Sequence, residues 1–393
     1  MSAKYKATLA ACFIGYVVQA IVNNFAPLLF LTFQGSYAVS LSKITLLVTI
    51  NFGLQLIIDL LAAAFVDKIG YRTAALIAHL CSAAGLILLT VLPEMLPDPF
   101  LGLLIAVIVY AVGGGLLEVL ISPIVEACPT DNKEKAMSLL HSFYCWGHVG
   151  VVLLSTLFFG VSGIENWKIL ALIWALIPLM NAVIFTKVPI APLLSEDETG
   201  LTLKELARNR LFWICMLFMV CAGACEQSVS QWASTFAEKG LGVGKTVGDL
   251  AGPMLFAAMM GLSRVLYGKY GERLNLRRFM LFSTLLCAAS YLVISLSPWP
   301  VLGLLGCGIC GFSVGILWPG TFSITAASVK GGTAMFAFLA LAGDLGCLGG
   351  PTFVGLISGA FNDNLKAGIL AALVFPAVLI LGLLLSGKQN STQ

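Results

Sequence analysis

The sequence predicts an all-α integral membrane protein with twelve transmembrane helices, arranged as two related bundles of six helices. Composition is the first reason: of 393 residues, 59% are hydrophobic and only 10% are charged, against about 25% charged residues in ordinary soluble domains. The mean hydropathy is +0.98. A soluble globule cannot bury this much apolar surface, so the chain is expected to lie in lipid. A soluble enzyme, a disordered chain and a nucleic-acid-binding protein are excluded on the same ground.

Twelve long apolar runs are the second reason. A helix needs about 20 mostly apolar residues to cross a bilayer, and each of these runs is continuous rather than alternating, which argues against the strands of a β-barrel. We number the runs as spans one to twelve. They cover residues 6–33, 42–65, 73–92, 99–126, 136–160, 166–187, 209–236, 247–268, 278–296, 299–327, 332–360 and 364–386.

The distribution of basic residues predicts the orientation. With both termini in the cytoplasm, 17 of the 22 Lys and Arg residues fall on the inner side and 5 on the outer side, as the positive-inside rule requires. The longest polar stretch, 188–208, divides the chain. We therefore predict an N-terminal bundle over 1–187, a cytoplasmic linker over 188–208 and a C-terminal bundle over 209–393.

An internal repeat is the third reason. The loop after span two carries Asp-Lys-x-Gly-x-Arg, and the loop after span eight repeats the Lys-x-Gly-x-Arg part at an offset of 201. Spans four and ten share a Gly–Pro pair with one spacing, Gly115/Pro123 and Gly311/Pro319. Two parallel repeats normally place a substrate site at their interface near the bilayer midplane. The two loop motifs consist of Asp67, Lys68, Gly70 and Arg72, and of Lys269, Gly271 and Arg273.

The motif after span two resembles the signature loop of the major facilitator superfamily, with Ala63 in the place of the usual leading Gly. The resemblance implies a transporter that works by alternating access of its two halves. A short turn needs Gly70, and Asp67 at the helix end can pair with basic groups of a neighbouring helix. We therefore interpret the loop as a cytoplasmic gate latch; a plain positively charged inner loop is the alternative.

Four acidic residues lie well inside the predicted spans: Asp59, Glu118, Glu226 and Asp344. A charge at the centre of a membrane helix costs about 3 kcal/mol on insertion, so each is a functional candidate. No Lys or Arg is placed comparably deep, which argues against an anionic substrate. The pattern suits a proton, a cation or a neutral polyol, and we predict proton coupling at Glu118, Glu226 and Asp344.

Spans four and five resemble those of the fucose:proton symporters. The family's Gly-x-x-Glu followed by Asn-Pro corresponds here to Glu118 and Ser122, with Ser in the place of Asn. The resemblance implies that Glu118 carries the transported proton and contacts sugar. In span five, His141 replaces a Gln and Tyr144 replaces an Asn of the family pattern, and Trp146 stands near the end of the motif. All of these are predicted substrate-binding residues.

Spans seven, ten and one extend the resemblance. Span seven carries Glu226, Gln227, Gln231 and Trp232, a dense polar group whose amides and indole suit a sugar; helix–helix hydrogen bonding is the alternative. In span ten, Trp318 precedes a Pro-Gly pair that should break or kink the helix. The remaining predicted substrate contacts are Asn23 and Asn24 of span one.

The family has an acid where this chain has Asn24, which cannot titrate. Proton coupling then rests on Glu118 alone, moves to Asp59, Glu226 or Asp344, or is lost. The leading hypothesis is proton-coupled uptake of a neutral sugar or polyol by a monomer in the inner membrane. The alternatives are a proton-driven exporter of cationic or amphipathic compounds and a receptor-like protein without transport. The sequence shows no catalytic motif, so we expect no enzyme activity, no cofactor, no metal and no nucleic-acid partner.

Overall fold

The structure, a computed structural model, describes residues 5–129, 133–191, 203–270, 275–329 and 332–389. Helices and turns make up these ranges, and no strand occurs within them. Twelve helical segments among the described residues are long and apolar enough to cross a membrane, which confirms the predicted fold class. The chain divides into two compact units, Met1–Ser195 and Glu196–Gln393, which we call the N-terminal and C-terminal units. The role of 188–208 as a cytoplasmic linker stays a prediction.

The N-terminal unit contains spans one to six. Span one is interrupted: an α-helix ends at Asn24, a 3₁₀ turn with Pro27 follows, and a second α-helix completes the span. The other five spans are continuous helices. The bounds are Lys6–Asn24, Ala26–Leu29 and Phe30–Tyr37 for span one, then Leu41–Ile69, Tyr71–Met95, Pro99–Ala127, Lys133–Ser162 and Trp167–Lys187.

The C-terminal unit opens with a short helix, Leu203–Arg208, and then contains spans seven to twelve. Spans seven, eight, ten and twelve are interrupted, and spans nine and eleven are continuous. The bounds are Arg210–Ser230, Ala233–Thr235 and Phe236–Gly240 for span seven, Lys245–Asp249, Leu250–Met254 and Leu255–Tyr270 for span eight, Leu276–Leu296 for span nine, Pro300–Val314 and Leu317–Ser328 for span ten, Gly332–Ala360 for span eleven, and Leu365–Ala371 and Val374–Gln389 for span twelve.

Polar caps and one glycine explain where several spans begin. The side chain of Asp98 accepts from the amide of Phe100 at 3.0 Å, with proline at the first helical position. Asn209 and Asn275 cap spans seven and nine in the same manner. These side chains satisfy amides that a helix leaves unpaired at its start. Between spans two and three, Gly70 adopts φ +83°, a conformation that glycine tolerates readily, and this confirms the predicted need for glycine there.

An arginine near the start of the third span of each unit binds the backbone of the sixth span. The guanidinium of Arg72 donates to the carbonyl oxygens of Phe185 at 2.5 Å and Val188 at 2.9 Å. In the C-terminal unit, Arg277 donates to the carbonyl of Leu383 at 2.5 Å. Phe185 and Val188 lie at the end of span six, where a helix leaves its last carbonyls unpaired and carries partial negative charge, so Arg72 stabilises that end. Leu383 lies six residues before the end of span twelve, so Arg277 fastens that helix at a carbonyl within it. The internal repeat thus includes an arginine contact between the third and sixth spans of each unit, which the loop motifs did not indicate.

The gate motif is only partly described by the structure. Arg72 has the anchoring contacts given above, and Lys68 is exposed. The side chains of Asp67 and Lys269 and the whole of Gly271 and Arg273 lie outside the described residues. The latch function therefore stays a prediction, and Arg72 has a demonstrable role in fastening span six.

Glycines of spans four and ten allow the neighbouring spans to approach closely. A Cβ atom added to Gly115 would lie 3.0 Å from Cα of Gln55 on span two. A Cβ atom added to Gly311 would overlap the carbonyl oxygen of Phe256 on span eight. Small residues of this kind let backbones of membrane helices come together. The repeated glycine of the sequence therefore has the same packing function in both units.

We predict that Gly311→Ala destabilises the protein, because the added methyl group meets backbone that cannot rotate away. Overpacking of this kind costs about 1–3 kcal/mol. Gly349→Ala in span eleven is the matched control, since nothing lies within 4 Å of its added Cβ. Thermal unfolding of the purified protein in detergent should show a lower midpoint for the first variant only. Equal midpoints for both variants would contradict the close approach at Gly311.

Candidate functional site

A network of buried amides joins spans one and two in the N-terminal unit. The side-chain oxygen of Asn23 accepts from Gln55 at 2.9 Å and from Asn51 at 3.3 Å. Gln55 also donates to the oxygen of Asn51 at 3.1 Å. All three side chains are buried. In an apolar surrounding, amides are stable only when they are paired in this way, so Asn23 is held in a fixed orientation.

Glu118 lies against span one. Its Oε2 accepts a hydrogen bond from Nε2 of Gln19 at 2.9 Å. The other end of that amide, Oε1 of Gln19, is buried and has no hydrogen-bond partner among the described residues. One turn further along span four, the hydroxyl groups of Ser122 and Tyr16 are 3.0 Å apart. The predicted pair of Glu118 and Ser122 therefore faces one stripe of span one.

Span five also contacts this stripe of span one. Nδ2 of Asn24 lies 3.4 Å from the hydroxyl of Tyr144, to which it donates a long hydrogen bond. The rings of His141 and Tyr16 are 5.6 Å apart between centroids and tilted. The structure thus brings together, along span one, six of the predicted site residues. These are Asn23, Asn24, Glu118, Ser122, His141 and Tyr144. We call them, with Tyr16, Gln19, Asn51 and Gln55, the N-terminal polar cluster.

Four members of the N-terminal polar cluster were missed in the sequence analysis. Tyr16, Gln19 and Asn23 follow each other at intervals of three and four residues, which places them on one helix face. Asn51 and Gln55 share a face of span two for the same reason. Polar residues at helical spacing inside an apolar run were therefore the signal that could have found them.

Trp146 does not join the N-terminal polar cluster. Its side chain is 49% exposed on span five, and within the described residues it has no hydrogen bond or ring contact with any cluster member. The indole lies among apolar side chains that face outward from the unit, such as Leu154 and Leu157. The sequence-predicted role of Trp146 as a substrate contact has no support in its placement.

An ion pair lies inside the C-terminal unit. The guanidinium of Arg264 on span eight is 3.4 Å from Oε2 of Glu226 on span seven, and both side chains are largely buried. Gln227 donates to the same carboxylate at 3.3 Å, and Gln231 donates to Gln227 at 3.2 Å. The expectation that the buried acids have no deep basic partner is therefore wrong for Glu226. Span eight ends further along the chain than its apolar run suggested, which places Arg264 inside the helix rather than at its end.

The break in span ten supplies Arg264 with a second partner. Proline has no backbone N–H, so it cannot donate to the carbonyl four residues earlier. For Pro319 that carbonyl belongs to Gly315. The helix is interrupted between Val314 and Leu317, which confirms the break predicted from the Pro-Gly pair. The carbonyl of Gly315 accepts instead from Nε of Arg264 at 3.4 Å. The arginine thus holds both a side chain and a freed backbone group.

The two predicted tryptophans have different surroundings. Trp232 is fully buried, and its Nε1 donates to the carbonyl of Pro351 at 3.0 Å, so it joins spans seven and eleven. Trp318 packs its ring against Gly343 of span eleven, where any side chain would collide with it. Asp344, the next residue, is half-buried. Trp318 and Asp344 therefore lie close to each other on adjoining spans.

A second charged cluster near the start of span eight was also missed. The ammonium of Lys245 lies 3.0 Å from a carboxylate oxygen of Glu238 and 2.9 Å from one of Asp249. Ser234 donates to the other oxygen of Asp249 at 2.5 Å. The three charged residues lie within twelve positions of the sequence. Their pairing becomes evident only in the folded structure, where spans seven and eight bring them together.

The comparisons with known proteins agree with this architecture. Residues 9–351 match the family model described as Major Facilitator Superfamily. No curated protein sequence matches the chain.

Three solved structures share the fold at low sequence identity. A bacterial homologue of the human lysosomal transporter Spinster, inward-facing and occupied, has a TM-score of 0.79 and 14% identity, covering 99% of this chain and 98% of that chain. The fucose:proton symporter FucP of E. coli has a TM-score of 0.64 and 16% identity, with 97% and 98% covered. A D-xylose–proton symporter has a TM-score of 0.77 and 14% identity, with 97% of both chains covered.

We predict that Glu226 and Arg264 depend on each other for stability. Glu226→Gln and Arg264→Met should each destabilise the protein by about 3–5 kcal/mol, because each leaves a buried charge without its partner. The double variant should be more stable than Arg264→Met alone. Thermal unfolding of the four proteins forms a double-mutant cycle. Strictly additive changes in the midpoint would contradict the ion pair.

Proposed function

The chain belongs to the major facilitator superfamily, and from this premise we propose that it imports a neutral sugar or polyol together with a proton, by alternating access. Family membership makes it a membrane transporter rather than an enzyme. The coupling ion, the substrate class and the direction of transport are the parts that we propose. We also propose that it is a monomer of the inner membrane. The distribution of its basic residues supports the placement of both termini in the cytoplasm.

The contact between Gln19 and Glu118 carries the proposal of proton coupling. An ionised carboxylate accepts hydrogen bonds only, whereas a protonated carboxyl also donates one. The amide of Gln19 donates to Glu118 at 2.9 Å, which suits the ionised form. Its Oε1 is buried without a partner among the described residues, and turning the amide over would offer this oxygen to a protonated Glu118. Gln19 is thus able to serve the acid in both protonation states.

Glu226 is a weaker candidate for the transported proton. Protonating it would leave Arg264 buried and without its carboxylate, a loss that costs about 3–5 kcal/mol. We therefore assign proton transport to Glu118 and a supporting role to the Glu226–Arg264 pair. Asp344, which is half-buried and follows the glycine that contacts Trp318, is the second candidate.

The chemistry of the N-terminal polar cluster supports a neutral polyhydroxylated substrate. Its side chains are amides, hydroxyls and an imidazole, and all of them donate and accept hydrogen bonds. Sugar hydroxyls need both kinds of partner at close spacing. Asn23, Asn24, His141 and Tyr144 are the residues that we propose to contact the substrate in this unit. In the C-terminal unit we propose Gln227, Gln231 and Trp318, the indole of which offers an apolar face to a sugar ring. The fully buried Trp232, predicted from the sequence as a substrate contact, is assigned to packing between spans seven and eleven.

The names of two structural relatives agree with this substrate class, since one is a fucose:proton symporter and the other a D-xylose–proton symporter. Their identities to this chain are 16% and 14%, so the likeness concerns the fold. The proposal therefore depends on the polar residues of this chain.

A second candidate function is export of cationic or amphipathic compounds in exchange for protons. One observation favours it: the ring of Trp318 lies against Gly343, next to Asp344. An aromatic ring with an acidic residue on the adjoining span is a suitable environment for a lipophilic cation. The two candidates differ in which ligands should bind.

We predict that Glu118→Gln abolishes accumulation of substrate driven by a pH gradient and preserves substrate exchange. Glutamine keeps the size and the hydrogen bonding of the side chain but cannot carry a proton. Counterflow and pH-driven uptake in proteoliposomes measure the two activities separately. Glu126→Gln, an exposed position two turns later on the same helix, is the control and should retain both. If Glu118→Gln still concentrates substrate, another group couples the proton.

We also predict that sugars and polyols raise the unfolding temperature of the purified protein, because a ligand that binds only the folded state stabilises it. The panel contains fucose, xylose, other hexoses, linear polyols and lipophilic cations such as tetraphenylphosphonium. Protection by sugars that is weakened in Asn23→Ala supports the proposed import. Protection by the lipophilic cations alone would favour the exporter.

A further inference from the structure

A groove lies between spans seven and twelve of the C-terminal unit, at the end where span seven begins. It encloses about 340 Å³, which is at the lower end of the range for ligand cavities. One wall is formed by span seven and the other by span twelve, with contacts at every third or fourth residue. The lining consists of Arg210, Ile214, Leu217 and Phe218, and of Val378, Leu381, Gly382 and Leu385.

The groove exists because one residue of span twelve has no side chain. The ring of Phe218 lies where a Cβ atom of Gly382 would be, so the ring forms the floor and the walls rise beside it. Leu217, Leu381 and Leu385 are all among the exposed apolar side chains. In a membrane protein such side chains face the hydrocarbon. The groove therefore opens to the lipid and not toward the polar clusters described above.

Positive charge gathers at one end of the groove. Arg210 is the first residue of span seven and is exposed, and no carboxylate of the described residues forms an ion pair with it. Arg277 of span nine reaches the carbonyl of Leu383, one residue beyond Gly382. The start of span seven adds the partial positive charge of a helix N-terminus. An apolar groove with the cation of Arg210 at one end matches a molecule with an anionic head and an apolar tail.

We propose that this groove binds one anionic phospholipid of the surrounding bilayer, with its phosphate at Arg210 and an acyl chain between spans seven and twelve. Basic pockets between membrane helices are known to select anionic head groups. The lipid would fasten span twelve to span seven at the end where Arg277 already holds it. This site is separate from the proposed transport pathway, so it stands or falls independently of the substrate.

The experiment measures binding of fluorescently labelled phosphatidylglycerol to the full-length protein in neutral detergent, with phosphatidylcholine as the zwitterionic reference. Phosphatidylglycerol should bind more tightly than phosphatidylcholine. Arg210→Ala should weaken its binding about fivefold, the equivalent of about 1 kcal/mol for one basic residue near a membrane surface. Arg278→Ala, at an exposed cation of span nine outside the groove lining, is the matched control and should leave binding unchanged.

Two further variants test the apolar part of the groove. Ile214→Trp and Val378→Trp fill it from opposite walls without altering its charge, and each should reduce binding of phosphatidylglycerol. Normal binding by a folded groove-filling variant would overturn the proposal. So would equal losses in Arg210→Ala and Arg278→Ala, which would indicate diffuse attraction, or equal affinity for the two lipids. Competition by millimolar inorganic phosphate as effective as that by unlabelled lipid would reveal a phosphate site instead.

Discussion

Within a bilayer, every backbone amide and carbonyl must find a hydrogen-bond partner inside the protein, because the hydrocarbon offers none. This constraint explains why the described part of the chain is helical, and it also explains what happens where a helix breaks. The carbonyl of Gly315, which Pro319 leaves without its helical donor, accepts a hydrogen bond from Arg264. At the end of span six, carbonyls that the helix leaves unpaired accept from Arg72. Arg264 and Arg72 thus bind backbone carbonyls that have no donor within their own helix.

The same constraint shapes the polar side chains. A buried amide is tolerated only in a network, and Asn23, Asn51 and Gln55 form one in which each member is paired with another. Such a network resists rearrangement because any change leaves a buried polar group unpaired. Gln19 and Asn181 each have a buried amide oxygen without a partner among the described residues, and the other end of the Gln19 amide is bonded to Glu118. A buried polar group that is left over in this manner needs an explanation, and for Gln19 a change in the protonation of its neighbour provides one.

Much of this fold was predictable from sequence, for reasons that can be stated. Long apolar runs identify membrane helices because hydrocarbon selects them directly. Gly70 and Pro319 act through their own backbone chemistry, so their effects are local and were foreseen. The partner of Glu226 was not foreseen, because it depends on which face of span eight turns toward span seven. The contacts of Gln19 and the cluster of Lys245 with Glu238 and Asp249 were missed for the same reason: pairing between helices is decided by packing, which a single sequence shows only indirectly.

The two units reveal how a duplicated framework can diverge in function. The close approach of spans two and four at Gly115 has its counterpart in spans eight and ten at Gly311, and the arginine anchors correspond as well. The groups placed on that common framework differ. In the N-terminal unit an acid is bonded to a neutral amide, whereas in the C-terminal unit an acid is bonded to a guanidinium. A neutral partner permits a carboxyl group to gain and lose a proton without stranding a buried charge, and a cationic partner does not. The asymmetry therefore favours the N-terminal unit as the location of the proposed proton exchange.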